Sequence, residues 1–126
     1  MYKILVIFEI FDIMLMYKFE GDTNMSEKIY TIEEIKTILK RILKNMPVYS
    51  VILFGSYAKS TATKTSDLDL VIDTKESLMG FKLFSLITKI EEEFNKNVDA
   101  FEKSEIIENS KIDNEIKKTG VIVYEK

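Results

Sequence analysis

Four short runs of β-branched and aromatic residues, Val48 to Phe54, Leu68 to Ile72, Val98 to Phe101 and Val121 to Tyr124, recur between stretches whose apolar residues fall at helical spacing. Strands that short are unstable alone, and a helix with one apolar stripe must bury it against something, so the pattern demands a sheet with helices packed on it. The first helical stretch opens on Thr31-Ile32-Glu33-Glu34, which reads as a capping box. Ile32, Ile35, Leu39, Ile42, Leu43 and Met46 follow, and Pro47 stops the run. Leu78 to Phe94 places Leu83, Phe84, Ile87, Ile90 and Phe94 on one face, with Glu91-Glu92-Glu93 as a solvated end. Glu105 to Thr119 predicts a charged helix ended by Gly120, with Lys117-Lys118 suited to the dipole of its last turn. Gly55 to Ser66, rich in Ser, Thr and Lys, reads as a loop. The order helix, strand, loop, strand, helix, strand, helix, strand predicts an α/β (α+β) domain: a small mixed sheet of about four strands flanked by helices.

The 126 residues fit one domain. Residues 1–24 differ from the rest. Ile4 to Tyr17 is almost wholly apolar but is broken by Glu9 and Asp12. It falls short of the ~20 residues needed to span a bilayer, and it lacks the flanks of a signal peptide. The polar stretch Glu20 to Asn24 then leads to Met25-Ser26-Glu27-Lys28. The expectation is that Met25 is the initiator and 1–24 is an atypical extension of upstream sequence, with 25–126 forming the single domain. An added amphipathic strand or helix docked on the core is the other reading of the same residues.

The chain has no Cys and no His. That excludes disulfides, thiolate or imidazole metal sites, Cys nucleophiles, Ser-His-Asp arrangements and histidine proton transfer. A metal would have to be a hard ion held by oxygen. Eighteen Lys+Arg against 21 Asp+Glu, net −3, argues against a protein held on nucleic acid by phosphate neutralisation. With no spanning segment and no cysteine, a cytoplasmic location without membrane or direct nucleic-acid contact is expected.

The chemistry concentrates between Phe54 and Leu70. Asp67 and Asp69 stand two apart at the start of a strand, so both carboxylates point to one side. Like charges that close repel unless a cation lies between them, and Mg²⁺ characteristically takes one or two carboxylates plus substrate phosphates. An isolated Asp-x-Asp is more often a polar strand start. Upstream, Gly55 directly follows a buried strand, where the missing Cβ lets backbone N–H groups approach phosphate, and Ser56 adds a hydroxyl. Lys59 and Lys64 bring positive charge to the same loop. Together these make a phosphate cradle facing a metal platform, the arrangement that phosphoryl and nucleotidyl transfer require. Asp99, between Val98 and Ala100, offers a third carboxylate mid-strand, where a charge is costly without a partner; an edge-strand acid facing solvent is the plainer alternative. Asp73 shares the parity of Asp67 and Asp69 but opens a turn and reads as solvated.

Gly55-Ser56, ten residues, then Asp67-Leu68-Asp69 resembles the signature of the DNA-polymerase-β-like nucleotidyltransferase superfamily, and in particular its minimal nucleotidyltransferases. The usual pattern there is Gly-Ser-x-Ala-Arg-Gly, five residues, Ser-Asp-x-Asp-Leu, and a third Asp on a later strand. Ser56, Ala58, Ser66, Asp67, Asp69, Leu70 and Asp99 match it, and the resemblance covers Met25 to Lys126. Lys59 stands where Arg is usual, which keeps the charge but loses the bidentate fork. Ser60 stands where the second Gly is usual, a substitution that strains the loop only if the position needs positive φ.

The resemblance implies a palm-like nucleotidyltransferase fold and transfer of a nucleoside monophosphate, most often AMP from ATP. It implies that Asp67, Asp69 and Asp99 hold two Mg²⁺ ions and carry catalysis, with Gly55, Ser56, Lys59 and Ser66 on the nucleotide. Such domains are similar to the antitoxin half of HEPN/MNT toxin–antitoxin pairs, in which a tyrosine of a HEPN ribonuclease toxin is adenylylated. A chain of this size holds the catalytic core, so a partner protein is expected to bring the acceptor hydroxyl. The alternatives are a non-catalytic module that silences a HEPN protein by docking, and transfer to a small molecule.

Overall fold

The computed structural model describes residues 26–126. The expectations for residues 1–24 and for Met25 as initiator lie outside the described residues. Helix α1 spans Ile32–Leu43, β1 Ser50–Phe54, a single-turn α2 Gly55–Ala58, β2 Leu68–Asp73, α3 Phe81–Phe94, β3 Val98–Glu102, α4 Lys111–Thr119 and β4 Val121–Glu125. The four strands form one mixed sheet in the order β3-β2-β1-β4. β1 runs antiparallel to β2 and β4, whereas β2 and β3 are parallel, with α3 making the crossover such a pair requires.

The capping box forms as read: Glu34 N–H donates to Thr31 Oγ1 at 3.1 Å and Thr31 N–H to Glu34 Oε1 at 3.1 Å. α1 ends at Leu43 rather than Met46, because Pro47 disfavours helical backbone at the residue before it. Val51, Leu53, Leu68, Leu70 and Ile72 share one sheet face and are buried against Ile35, Leu39 and Leu43 of α1 and Leu86, Ile90 and Phe94 of α3. Alternation turns Ile52, Phe54, Asp69, Val71 and Asp73 to the other face.

Four local expectations are corrected. Gly55 to Ala58 is a helical turn, not loop, and it buries Tyr57. α3 starts at Phe81, after Gly80 at φ +57°, rather than at Leu78, and its buried stripe uses Leu86 where Phe84 and Ile87 were expected. The segment 105–119 is not one helix. A 3₁₀ turn over Lys103–Glu105 precedes α4, which begins where Ser110 accepts the Asp113 N–H. Glu91 is not a surface acid: its Oε2 accepts the Val98 N–H at 3.0 Å and so caps the start of β3. Among the described residues no helix is long and apolar enough to cross a membrane.

Candidate functional site

The backbone leaves β1 at Phe54 and enters α2 at once, with Gly55 at φ +70°. This left-handed conformation suits glycine, and a second constraint acts at the same position. A Cβ on Gly55 would overlap Oδ2 of Asp69 and lie 3.0 Å from its Cγ. The absent side chain therefore makes room for a carboxylate of the neighbouring strand, paired here through Phe54 opposite Asp69. The expected approach of backbone to a ligand becomes, in the first instance, an approach of backbone to Asp69. Among the described residues no side chain caps α2, so the N–H groups of its first turn have no partner there. Ser56 is half-buried there, and its carbonyl accepts the Thr61 N–H at 2.9 Å, closing the loop back on itself.

Asp69 sits second in β2, half-buried, and the parallel register sets Asp99 of β3 directly beside it. Asp67 immediately precedes the strand and is exposed. The burial expected for Asp99 is not found: β3 is an edge strand and Asp99 is exposed. Its place near Asp69 comes from register, not from a buried mid-strand position. Burial, then the charges of Asp99, Asp67 and Glu115, push the Asp69 carboxyl up to about 6, with the Lys59 ammonium pulling the other way. Among the described residues no hydrogen-bond donor reaches that carboxylate, and no three acidic side chains close into a ready cage for a cation.

An oxygen-only set of neighbouring carboxylates, one of them raised by burial and then by like charges, suits a hard divalent cation. Mg²⁺ in particular seldom uses an all-protein cage and completes its shell with water and phosphate. Asp67, Asp69 and Asp99 therefore fit the ion that the nucleotidyltransferase resemblance implies.

The other predicted residues fall around this centre in different ways. Lys59 Nζ lies 3.7 Å from Glu115 Oε1 on α4. Ser66 Oγ accepts the Thr63 N–H at 2.8 Å, so its hydroxyl shapes the loop. Lys64 is exposed and faces Glu27 at 3.9 Å. Ser60 has φ +60°, so the position where glycine is usual does need a left-handed residue, and the serine bears the strain. Asp73 is not a solvated turn opener: it is the last residue of β2, half-buried, accepts the Lys75 N–H at 3.0 Å and lies 3.8 Å from Lys103 Nζ. Sequence reasoning missed Glu115, which only tertiary packing brings beside Lys59 and Asp69; no local signal marked it within a charged helix.

Residues 32–122 match a family model described as "Nucleotidyltransferase domain". A relative from Methanocaldococcus jannaschii, named "Putative protein adenylyltransferase", is 35% identical over 86 residues, which are 65% of this chain and 100% of that protein. Another from the same organism, with the same descriptive name, is 36% identical over 80 residues, 60% of this chain and 82% of that one. Among solved structures, a toxin–antitoxin with AMP-PNP superposes with a TM-score of 0.61 at 18% identity, covering 72% of this chain and 73% of that chain. A tri-AMPylated HEPN toxin in complex with MNT antitoxin, from Shewanella oneidensis, gives 0.57 at 15% identity, covering 76% and 74%. At these identities the structural likeness is one of fold.

Proposed function

The chain belongs to the nucleotidyltransferase domain family, and from that premise we propose that it is a Mg²⁺-dependent protein adenylyltransferase whose acceptor is a tyrosine hydroxyl of a HEPN-type toxin, so that it acts as an antitoxin. The observation that carries the reading is the pairing of Asp69 with Asp99 in register, beside the strand-to-helix turn at Gly55-Ser56. The names of the Methanocaldococcus jannaschii relatives support AMP transfer to protein, and the toxin–antitoxin fold neighbours support the partner.

Asp67, Asp69 and Asp99 would hold Mg²⁺, which when bound neutralises phosphate charge and acidifies the attacking hydroxyl. The N–H groups at the start of α2 and the Ser56 hydroxyl orient the β- and γ-phosphates of ATP. Lys59 adds charge stabilisation from the same loop. The acceptor oxygen bonds to the α-phosphorus, the bond from that phosphorus to the bridging oxygen breaks, and pyrophosphate leaves. Asp99, exposed at the sheet edge where an acceptor can approach, holds the proton given up by the hydroxyl.

The test is incubation with labelled ATP and Mg²⁺ together with the protein that co-purifies with it. Label should pass to the partner from wild type and not from Asp67→Asn/Asp69→Asn. A partner that binds but takes no label from any of the four NTPs would make this a docking module and overturn the catalytic reading.

A further inference from the structure

Asp67 lies outside β2, so its position is not set by a strand on both sides. Beyond the Thr63–Ser66 bonds within the loop itself, the ties that hold it come from one short turn. Asn95, Lys96 and Asn97 join α3 to β3, and between them they hold Ser26, Lys64 and Leu68. Asn95 O accepts the Ser26 N–H at 2.9 Å, and Asn97 O accepts the N–H of Leu68, the residue after Asp67, at 3.0 Å. Lys96 sits between them with only 3% of its surface exposed. Its Nζ donates to Ser26 O at 3.0 Å and to Lys64 O at 3.0 Å. Lys64 O belongs to the loop that runs into Asp67, so Asp67 is bracketed: Lys96 holds the chain three residues before it and Asn97 the residue after it.

A buried ammonium is an expensive way to make two hydrogen bonds to carbonyls, because desolvation disfavours the charge. Burial does push the Lys96 ammonium down, while the Asp67 carboxylate draws it back up. The turn that presents it is itself braced, with Asn95 left-handed at φ +51° and Glu91 capping Val98.

We propose that Lys96 is a positioning residue for the carboxylate site: its buried ammonium pins the 59–67 loop and thereby fixes Asp67 relative to Asp69 for divalent-cation binding. This rests on the metal role given to Asp67 above, and the experiment separates the two.

The variant is Lys96→Met, which keeps the length and apolar stem but removes the donors and the charge, with Lys96→Gln as the milder change should the first fail to fold. Mn²⁺ affinity is measured by calorimetry on folded protein, and amide hydrogen exchange is followed over 60–68. The expected result is about 10-fold weaker Mn²⁺ binding, the scale seen when a residue that orients a metal ligand is lost, with faster exchange confined to 60–68 and 26–28. Lys96→Arg should restore part of the affinity. Unchanged Mn²⁺ affinity in folded Lys96→Met or Lys96→Gln overturns the proposal, as does unchanged loop exchange. If wild type itself binds no Mn²⁺, or Asp67→Asn binds it equally well, the metal role of Asp67 fails instead. In that case the exchange data still decide whether Lys96 pins the loop.

Discussion

Two carboxylates on adjacent strands of one sheet meet opposite fates. Glu102, at the end of β3, is buried to 1% exposure, and every acceptor duty it has is met. Thr74 donates to Oε2 from both its N–H, at 3.0 Å, and its hydroxyl, and the Ser104 N–H donates to Oε1 at 3.1 Å. Asp69 is less buried, yet it faces Asp99, Asp67 and Glu115, and among the described residues it accepts no hydrogen bond. A carboxylate can therefore be deeply buried and satisfied, or half-buried and frustrated. The first joins a strand end to the next turn. The second keeps its charge available to a counter-ion, which is the condition of a functional site.

Gly55→Ala would break this difference most severely. The new Cβ collides with Asp69 and the φ of +70° strains it, so Asp69 must move. A displacement of that kind should lower AMP transfer by about 100-fold; normal transfer in a folded variant would show that the position of Asp69 does not matter.

Asp69→Asn removes the frustration. The folded carboxyl is raised to about 6 from 3.8, so the native state binds more protons than the unfolded state between those values. Stability must then fall as pH rises from about 4 to 6, and the full penalty persists above. The variant should be more stable than wild type by about 2 kcal/mol at pH 7.5, the ~3 kcal/mol of the full shift reduced by solvent screening of a half-exposed group, and equal to it near pH 4, while transferring no AMP. Urea denaturation at both pH values checks this, and added Mg²⁺ should stabilise wild type at pH 7.5 but not the variant. Equal stabilisation of both by Mg²⁺ would detach the ion from Asp69.

Glu102→Gln probes the satisfied partner. It weakens charge-assisted bonds to Thr74 and Ser104 and should cost about 1.5 kcal/mol in urea unfolding, with Mn²⁺ affinity unchanged. A loss of Mn²⁺ affinity would mean that the two carboxylates are not independent.

Ser60→Gly has the smallest expected effect. Relief of a left-handed serine, less the added freedom of glycine in the unfolded chain, should raise stability by about 1 kcal/mol. A decrease would show that the serine side chain makes a contact worth more than the strain.

The legible parts of this protein are those written within a few residues. The capping box at Thr31 and Glu34 and the strand ending at Gly55-Ser56 depend on local stereochemistry, and the structure retains both, with Asp67 just before β2 and Asp69 within it. The illegible parts fall where a neighbour distant in sequence competes. Phe84 yields its buried place to Leu86, because which side of α3 meets the sheet is decided by packing that periodicity does not specify. The helix expected from Glu105 starts late because Ser110 and Asp113 make a better cap than anything before them. Asp99 was singled out on an argument from burial, although its exposed place on an edge strand owes everything to pairing.

The sequence by itself determined the kinds of element, their order, the absence of histidine and cysteine chemistry, and the two acids, Asp67 and Asp69, that stand two apart where β2 begins. Those follow from composition and from the periods of helix and strand, which any chain with these residues must obey. Only the tertiary structure decided that Asp99 lies beside Asp69, that Gly55 is vacant for a carboxylate, that Glu115 joins the site and that Lys96 holds the loop before Asp67. Each of these depends on strand order, register or packing between segments far apart in the chain, and no local propensity encodes such a distance.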